Sequence, residues 1–168
     1  IDLDHISQRK TKPIRVAING IEGTGKTVFA KKLNDFLNEQ GKHAMHVSID
    51  GFHFNRAHRY RKGKDSPEGY YEDAYDEERF VQKVLISSQF DQPSITTATH
   101  DLISDQYLSL DPIEIPSNSI LITDGAYLLK AVYRDYWDYV IYLKTTFEIA
   151  LSRGIARDAD SLGGAEPA

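Results

Sequence analysis

The stretch IRVAINGIEGTGKT, residues 14–27, decides how the rest of the sequence is interpreted. Its first part, IRVAIN, is short, apolar and rich in β-branched residues, which is typical of a buried β-strand. Its second part fits the pattern GxxxxGK[ST] over residues 20–27, and the amphipathic segment TVFAKKLNDFLNEQ overlaps its end. The stretch therefore predicts a strand, a glycine-rich loop and a helix in succession.

The glycine-rich loop predicts a binding site for the phosphates of a nucleoside triphosphate. Glycines allow successive backbone N–H groups to face the phosphates, and the following helix adds the positive end of its dipole. In such a loop the lysine contacts the β- and γ-phosphates and the last hydroxyl ligates Mg²⁺. We predict that Thr27 binds Mg²⁺ and that ATP is bound by Gly20, Ile21, Glu22, Gly23, Thr24, Gly25, Lys26 and Thr27.

The composition limits the class of protein. The 168 residues suffice for one core, and 40% hydrophobic with 27% charged residues is ordinary for a globular domain. No apolar run approaches the length of a membrane span, cysteine is absent, and the net charge of −5 argues against general nucleic-acid binding. We expect a soluble, cytoplasmic protein with no nucleic-acid or membrane partner, and a homo-oligomer stays open.

Alternating strands and helices along the chain predict an α/β fold. Strands are predicted at HAMHVSID, ending at Asp50, at ITTATHD, at SILITDGAYLL, ending at Asp124, and at WDYVIYLKT. Helices are predicted over 27–40, with Gly41 as C-cap, over 76–90 and at FEIALSRGIARDA. This order is typical of a three-layer α/β/α fold of P-loop NTPase type with a mainly parallel sheet. The first helix is predicted to face the core through Val28, Phe29, Leu33, Phe36 and Leu37.

Two aspartates at predicted strand ends are candidates for the chemistry. In a parallel sheet, ligands bind at the carboxyl ends of the strands, where Asp50 and Asp124 both lie. Asp50 can accept the proton of a hydroxyl that attacks the γ-phosphoryl group, and Asp124, after ILIT, can anchor Mg²⁺. Because an Asp-Gly pair is also a common turn starter, a structural role is the alternative for each.

The class of nucleotide-binding protein follows from what else the sequence contains. A regulatory GTPase would carry an NKxD segment late in the chain, and this sequence has none. The length leaves little room for the second domain of a large ATPase. A small-molecule kinase remains, with a non-catalytic nucleotide-binding module as the alternative.

Four segments resemble the uridine kinase and phosphoribulokinase family of P-loop kinases. They are the glycine-rich loop, SIDGFH over 48–53, DAYD over 73–76 and LSRGIARD over 151–158. The resemblance implies transfer of the ATP γ-phosphoryl group to a hydroxyl, with ATP and Mg²⁺ required. We expect a single kinase domain over 1–168 that lacks its C-terminal end, with a lid around 153–164. The catalytic residues implied are Asp50 as general base, Lys26, Arg153 and Arg157.

The resemblance also implies a small-molecule acceptor, with a nucleoside such as uridine or cytidine as the leading candidate. The segment ITTATH departs from the base-binding segment typical of uridine kinases, and only His100 matches it well. Pantothenate, a sugar or a phosphosugar is therefore the alternative acceptor. The residues assigned to acceptor binding are Asp50, Phe52, His53, Tyr75, His100 and Asp101.

Residues 53–64 form a basic block, with seven basic or histidine side chains in twelve positions. We hypothesise that this block faces phosphates or an anionic acceptor, and that Tyr70, Tyr71 and Tyr75 wall the acceptor pocket. The alternative is a solvated surface loop with charges of both signs.

Overall fold

A parallel four-stranded sheet forms the centre of the computed structural model, which describes residues 11–161, with side chains through residue 156. In chain order the strands are β1 (Ile14–Asn19), β2 (Ala44–Ser48), β3 (Ser94–Ile95), β4 (His100–Asp101), β5 (Gln106–Tyr107), β6 (Ile113–Glu114), β7 (Ile120–Gly125) and β8 (Tyr139–Tyr142). The order across the four-stranded sheet is β2, β7, β1, β8, and every pairing in it is parallel. Two short antiparallel pairs, β3 with β6 and β4 with β5, lie outside it.

The three predicted helices are observed, and the described residues contain three further short α-helices that were not predicted. The predicted helix over 76–90 is observed as α4 (Glu77–Phe80), a π-helical segment (Val81–Ile86) and a 3₁₀ turn (Ser87–Gln89) in succession. Within residues 11–161, no helix combines the length and apolar character needed to cross a membrane. The α-helices are α1 (Lys26–Glu39), α2 (Arg56–Arg59), α3 (Pro67–Asp73), α4 (Glu77–Phe80), α5 (Ala131–Arg134) and α6 (Phe147–Ser161).

Apolar side chains bury both faces of the sheet, which confirms the predicted three-layer α/β/α arrangement. Ala17 and Leu121 pack on one face in a cluster with Phe80, Leu85 and Tyr133. The alternate strand residues pack on the opposite face against α1. These residues are Val16, Ile18, Ile120, Ile122, Ala30 and Leu37. Because β7 lies between two strands and has a core on each face, all six of its residues are buried.

Two predicted strand boundaries are wrong. Strand β2 ends at Ser48, and Asp50 lies in a 3₁₀ turn, Ile49–Phe52, in which the Asp50 N–H donates to the Ser48 hydroxyl. ITTATHD is not one strand, since only Ile95 belongs to β3 and only the final His-Asp pair belongs to β4. Local hydrogen bonding by a serine therefore ends β2 before its apolar pattern ends.

The predicted core face of α1 is also partly wrong. Leu37 is buried and Leu33 packs against the core, but Val28 and Phe36 are 59% and 55% exposed. The buried stripe of α1 consists of Ala30, Leu33 and Leu37, which are spaced three and four residues apart. The small side chain of Ala30 allows α1 to pack closely against the sheet.

The end of α1 matches its prediction. Gly41 has a φ of +74°, its N–H donates to the Asn38 carbonyl at 2.9 Å, and the Lys42 N–H donates to the Leu37 carbonyl at 3.0 Å. This pattern is a Schellman motif, in which a left-handed residue closes the helix.

Candidate active site

The glycine-rich loop leaves the first turn of α1 free to bind an anion. This turn has no acidic side chain, and no side chain from the part of the chain that the structure describes caps its N–H groups. Such unpaired N–H groups, together with the helix dipole, attract phosphate. Gly23 has a φ of +76°, and a Cβ there would lie 2.1 Å from the Ala150 carbonyl oxygen of α6. Glycine is therefore required at this position both for the backbone angle and for the close approach of α6.

Lys26 and Thr27 begin α1 and direct their polar groups over the loop. The Lys26 ammonium is 7% exposed, donates to the Ile21 carbonyl at 2.9 Å and lies 3.7 Å from Glu22 Oε1. The Thr27 hydroxyl donates to Asp124 Oδ2 at 2.6 Å. The phosphate loop and the end of β7 are thus joined by one short hydrogen bond.

Both carboxylate oxygens of Asp124 accept hydrogen bonds. Its second oxygen, Oδ1, accepts a hydrogen bond from His46 Nε2 at 2.6 Å, and the residue is 1% exposed. Burial raises the pKa of Asp124, but the hydrogen bonds from His46 and Thr27 outweigh it, so the net shift is downward. The carboxylate therefore stays ionised.

His46 was not among the site residues predicted from the sequence. It lies two residues before Ser48 on β2, and the register pairs Ser48 with Asp124. A polar residue at every second position of an otherwise apolar strand is the signal that could have identified it, because such residues share one face.

The side-chain oxygens of Thr27 and Asp124 are suitable ligands for Mg²⁺. A hydroxyl and an ionised carboxylate are hard oxygen ligands, and Mg²⁺ is commonly held by one or two such groups together with substrate phosphates. Both side chains line the same cavity as the loop, which is where those phosphates would lie.

Asp50 reaches the cavity from the turn after β2. Its Oδ1 accepts a hydrogen bond from the Tyr75 hydroxyl at 3.2 Å, and its carbonyl lies 2.8 Å from His53 Nδ1. The residue is solvent-accessible within the open cavity. The surrounding protein atoms still desolvate it enough to raise its pKa, opposed by His53 and reinforced by Asp124.

The nucleotide cavity brings most of the predicted catalytic residues together. It has a volume of about 230 Å³, and its lining includes Lys26, Thr27, Asp50, Asp124 and Arg153. The side chain of Arg157 and the lid residues 162–164 lie outside the described residues.

The predicted acceptor residues divide into those near Asp50 and those elsewhere. Phe52 is fully buried and packs edge-on against Phe80 with ring centroids 5.2 Å apart, so it has a packing role in the core. Tyr75 is 4% exposed, and it contacts Asp50 through its hydroxyl. His53 packs against Tyr75 in a tilted arrangement with ring centroids 4.3 Å apart.

His100 and Asp101 belong to the β4–β5 hairpin. Asp101 accepts hydrogen bonds from the Ser104 N–H at 2.9 Å and from the Ser104 hydroxyl, so its carboxylate stabilises the turn and its pKa is lowered. His100 is 2% exposed, and its Nε2 lies 3.2 Å from Asp105 Oδ1. Neither residue lines the nucleotide cavity.

The basic block divides into two groups. Arg61 is paired with Asp73, and Lys62 is paired with Glu68 and Glu72. A second group surrounds another cavity of about 200 Å³, which we call the basic cavity. Its lining residues are His53, Arg59, Tyr60, Lys64, Tyr70 and Ala74.

The three tyrosines predicted to wall the acceptor pocket line or adjoin different cavities, although Tyr70 and Tyr75 share a side-chain hydrogen bond. Tyr70 lines the basic cavity, whereas Tyr75 is buried beside Asp50. Tyr71 lines a third cavity, of about 350 Å³, with Tyr127 and Tyr142.

Comparison with known proteins identifies the family of this chain. The model of the phosphoribulokinase / uridine kinase family matches residues 15–165. The chain is 27% identical over 161 residues to a uridine kinase from Leuconostoc citreum (strain KM20), covering 90% of this chain and 71% of that enzyme.

Two solved structures support the fold. A possible uridine kinase from Bacillus stearothermophilus has a TM-score of 0.71 and 20% identity, over 98% of this chain and 91% of the other. A protein from Silicibacter sp. TM1040, provisionally assigned as a fructose transport system kinase, has a TM-score of 0.72 and 24% identity, over 96% of this chain and 83% of the other. Because the family model covers nearly the whole chain, this protein belongs to the phosphoribulokinase / uridine kinase family.

Proposed function

We propose that this kinase transfers the γ-phosphoryl group of ATP to a hydroxyl of a small metabolite, with Asp50 as general base. One observation carries the proposal: the Asp50 carboxylate lines the same cavity as Lys26, Thr27 and Asp124. A base must reach the attacking hydroxyl while the phosphates lie in the loop, and this shared cavity allows both.

In the proposed reaction, the acceptor hydroxyl oxygen forms a bond to the γ-phosphorus, and the bond from that phosphorus to the bridging oxygen of ADP breaks. The hydroxyl proton passes to Asp50. The Tyr75 hydroxyl donates to one oxygen of Asp50, which fixes the carboxylate and leaves the other oxygen for the proton.

The remaining side chains stabilise negative charge. Lys26 contacts the β- and γ-phosphates, and Arg153, which lines the cavity, neutralises charge that develops on the transferred group. Arg157, one helical turn later in sequence, is proposed to assist from the lid. Thr27 and Asp124 would hold Mg²⁺, which supplies further charge neutralisation at the phosphates.

Two classes of acceptor have support. A nucleoside such as uridine is supported by the 27% identity to a uridine kinase. An anionic acceptor, such as a phosphosugar or pantothenate, is supported by the basic cavity beside Asp50.

Asp50→Asn tests the general base. We expect ATP affinity to stay within about threefold, because Asn keeps the shape, while acceptor-dependent ADP release falls by about 10²- to 10⁴-fold. Asp65→Asn, which removes the same charge from an exposed loop position, is the control and should keep full turnover. Unchanged turnover in Asp50→Asn would show that Asp50 is not the general base. If the wild type itself had no acceptor-dependent turnover, a non-catalytic nucleotide-binding module would be supported instead.

A further inference from the structure

The basic cavity contains positive charge without a matching acid in its lining. Arg59 and Lys64 both line it, and the other lining side chains are aromatic, histidine or alanine. Two aromatic walls, Tyr60 and Tyr70, complete the cavity. A site of this kind suits a small anion with an apolar body.

Arg59 has a buried side-chain nitrogen that is unpaired among the described residues. Its side chain is 14% exposed, and within residues 11–156 no hydrogen-bond acceptor contacts its solvent-inaccessible Nε. The nearest carboxylate oxygen, Asp105 Oδ1, lies 3.7 Å from Arg59 Nη2 and already accepts the Arg56 N–H at 2.9 Å. An unpaired buried donor is costly, so an acceptor oxygen supplied by a ligand would be stabilised here.

Other residues of the basic block are satisfied within the chain. Arg61 and Lys62 are ion-paired with the acidic residues of α3. Arg59 and Lys64 are different, because they face a cavity. The block is therefore not a uniform solvated loop.

The basic cavity adjoins the proposed general base. His53 lines it and lies 2.8 Å from the Asp50 carbonyl through Nδ1. The nucleotide cavity is lined by the same Asp50. A molecule that extends past His53 would therefore place a hydroxyl at Asp50 and a charged end at Arg59.

We propose that the acceptor carries an anionic group, a phosphate or a carboxylate, that binds in the basic cavity to Arg59 and Lys64. This inference rests on the proposed function, since it names the class of acceptor for the same reaction. The phosphoryl transfer is unchanged by it, and the anionic group takes no part in bond making.

The test measures ADP release by the 168-residue chain with matched pairs of acceptors. Ribulose 5-phosphate is compared with ribulose, glycerate with glycerol, and pantothenate with pantothenyl alcohol, with uridine and cytidine as neutral nucleosides. We expect an anionic member to have a KM at least 10-fold below that of its neutral partner. The phosphate and carboxylate arms distinguish the two kinds of anion.

Arg59→Gln links that preference to the cavity. The KM for the best anionic acceptor should rise by about 10- to 100-fold, because a charge-assisted hydrogen bond is lost, while kcat stays within about threefold. Arg59→Lys should recover part of the loss. Arg56→Gln removes the same charge from an exposed position of α2 and should leave KM unchanged.

Each outcome decides the inference. Equal KM values for charged and neutral acceptors, or the same rise in Arg56→Gln and Arg59→Gln, would overturn it while leaving the kinase intact. No turnover with any acceptor would instead contradict the proposed function. In that case the anion site is tested by calorimetry with inorganic phosphate, on protein saturated with a non-hydrolysable ATP analogue. Equal phosphate affinity in wild type and Arg59→Gln would exclude the site.

Discussion

Asp50 follows β2 and Asp124 lies at the end of the neighbouring strand β7, and their surroundings shift their pKa values in opposite directions. Asp50 is desolvated, and this effect outweighs the hydrogen bond that the Tyr75 hydroxyl donates to its carboxylate, so its pKa is raised. Asp124 has a donor on each oxygen, so its pKa is lowered despite burial. A raised pKa suits a group that takes up a proton, and a lowered one suits a metal ligand.

The raised pKa of Asp50 predicts the acid limb of the pH–rate profile. Only the ionised carboxylate accepts a proton, so kcat should fall as the pH drops through that raised value, above the usual range near 4. In Tyr75→Phe the pKa-lowering hydrogen bond is lost, and we expect the limb to move to higher pH. Tyr139→Phe, placed beside Val16 by the sheet register, is the control. A limb that stays in place or moves to lower pH in Tyr75→Phe would contradict the assignment.

His46 predicts a specific defect in magnesium-dependent binding. In His46→Leu one buried oxygen of Asp124 loses its donor, so the carboxylate is no longer oriented toward Thr27. We expect the affinity for ATP with Mg²⁺ to fall by about 10- to 100-fold, with little change without Mg²⁺. Calorimetry with and without the metal measures both. His46→Gln should recover part of the loss, and His43→Leu at an exposed position should lose none.

At the scale of elements, the phosphate loop depends on α6. The backbone of Gly23 lies against Ala150, three residues before the predicted catalytic Arg153 on the same helix. The phosphate loop is therefore in direct contact with α6, the helix that carries Arg153. A movement of α6 would displace the loop, and a movement of the loop would displace α6.

Gly23→Ala should separate backbone strain from this contact. Gly23 and Gly41 have φ values of +76° and +74°, so alanine at either position should cost about 1–2 kcal/mol of stability. Only at Gly23 would the new Cβ meet backbone, whereas Gly41 has open space around it. We expect ATP binding to be lost in Gly23→Ala and retained in Gly41→Ala. Equal ATP affinity in the two variants, measured by calorimetry, would show that α6 does not constrain the loop.

The sequence predicts those elements whose local pattern agrees with their final environment. β1, α1, β7 and β8 follow from short apolar runs and a helical period. The exposed Phe36 and the buried Phe52 could not be assigned from pattern alone, because the neighbours that cover or expose them come from distant parts of the chain. The His46–Asp124 bond joins two strands 78 residues apart, which only their pairing reveals.

At the scale of the whole molecule, the strand order places the two aspartates beside the phosphate loop. β7 lies between β2 and β1, so the ends of three strands meet at one edge of the sheet. The nucleotide cavity is lined by residues from Glu22 to Arg153, and ATP would therefore contact elements from most of the described chain.

Bound nucleotide should consequently stabilise the fold as a whole. At about 100 times its Kd, Mg-ATP should add about 2.7 kcal/mol to the free energy of unfolding, or roughly 5–10 °C in Tm. At the same concentrations, Asp124→Asn should lose the part of this stabilisation that depends on Mg²⁺ and keep the part that ATP gives without Mg²⁺. Thermal melts with ATP alone and with Mg-ATP measure the two parts. An equal magnesium increment in wild type and Asp124→Asn would exclude Asp124 as the metal anchor.

The parallel pairing of β1 with β7 also bears on how the chain is made. Ile14 pairs with Ile120, more than 100 residues later, and Thr27 bonds to Asp124 across a similar separation. Contacts this distant in sequence close late and slowly, because the loop entropy must be lost before they form. During synthesis the glycine-rich loop therefore leaves the ribosome long before β7, with which it forms the site. We expect that ATP cannot stabilise the nascent chain until β7 has emerged.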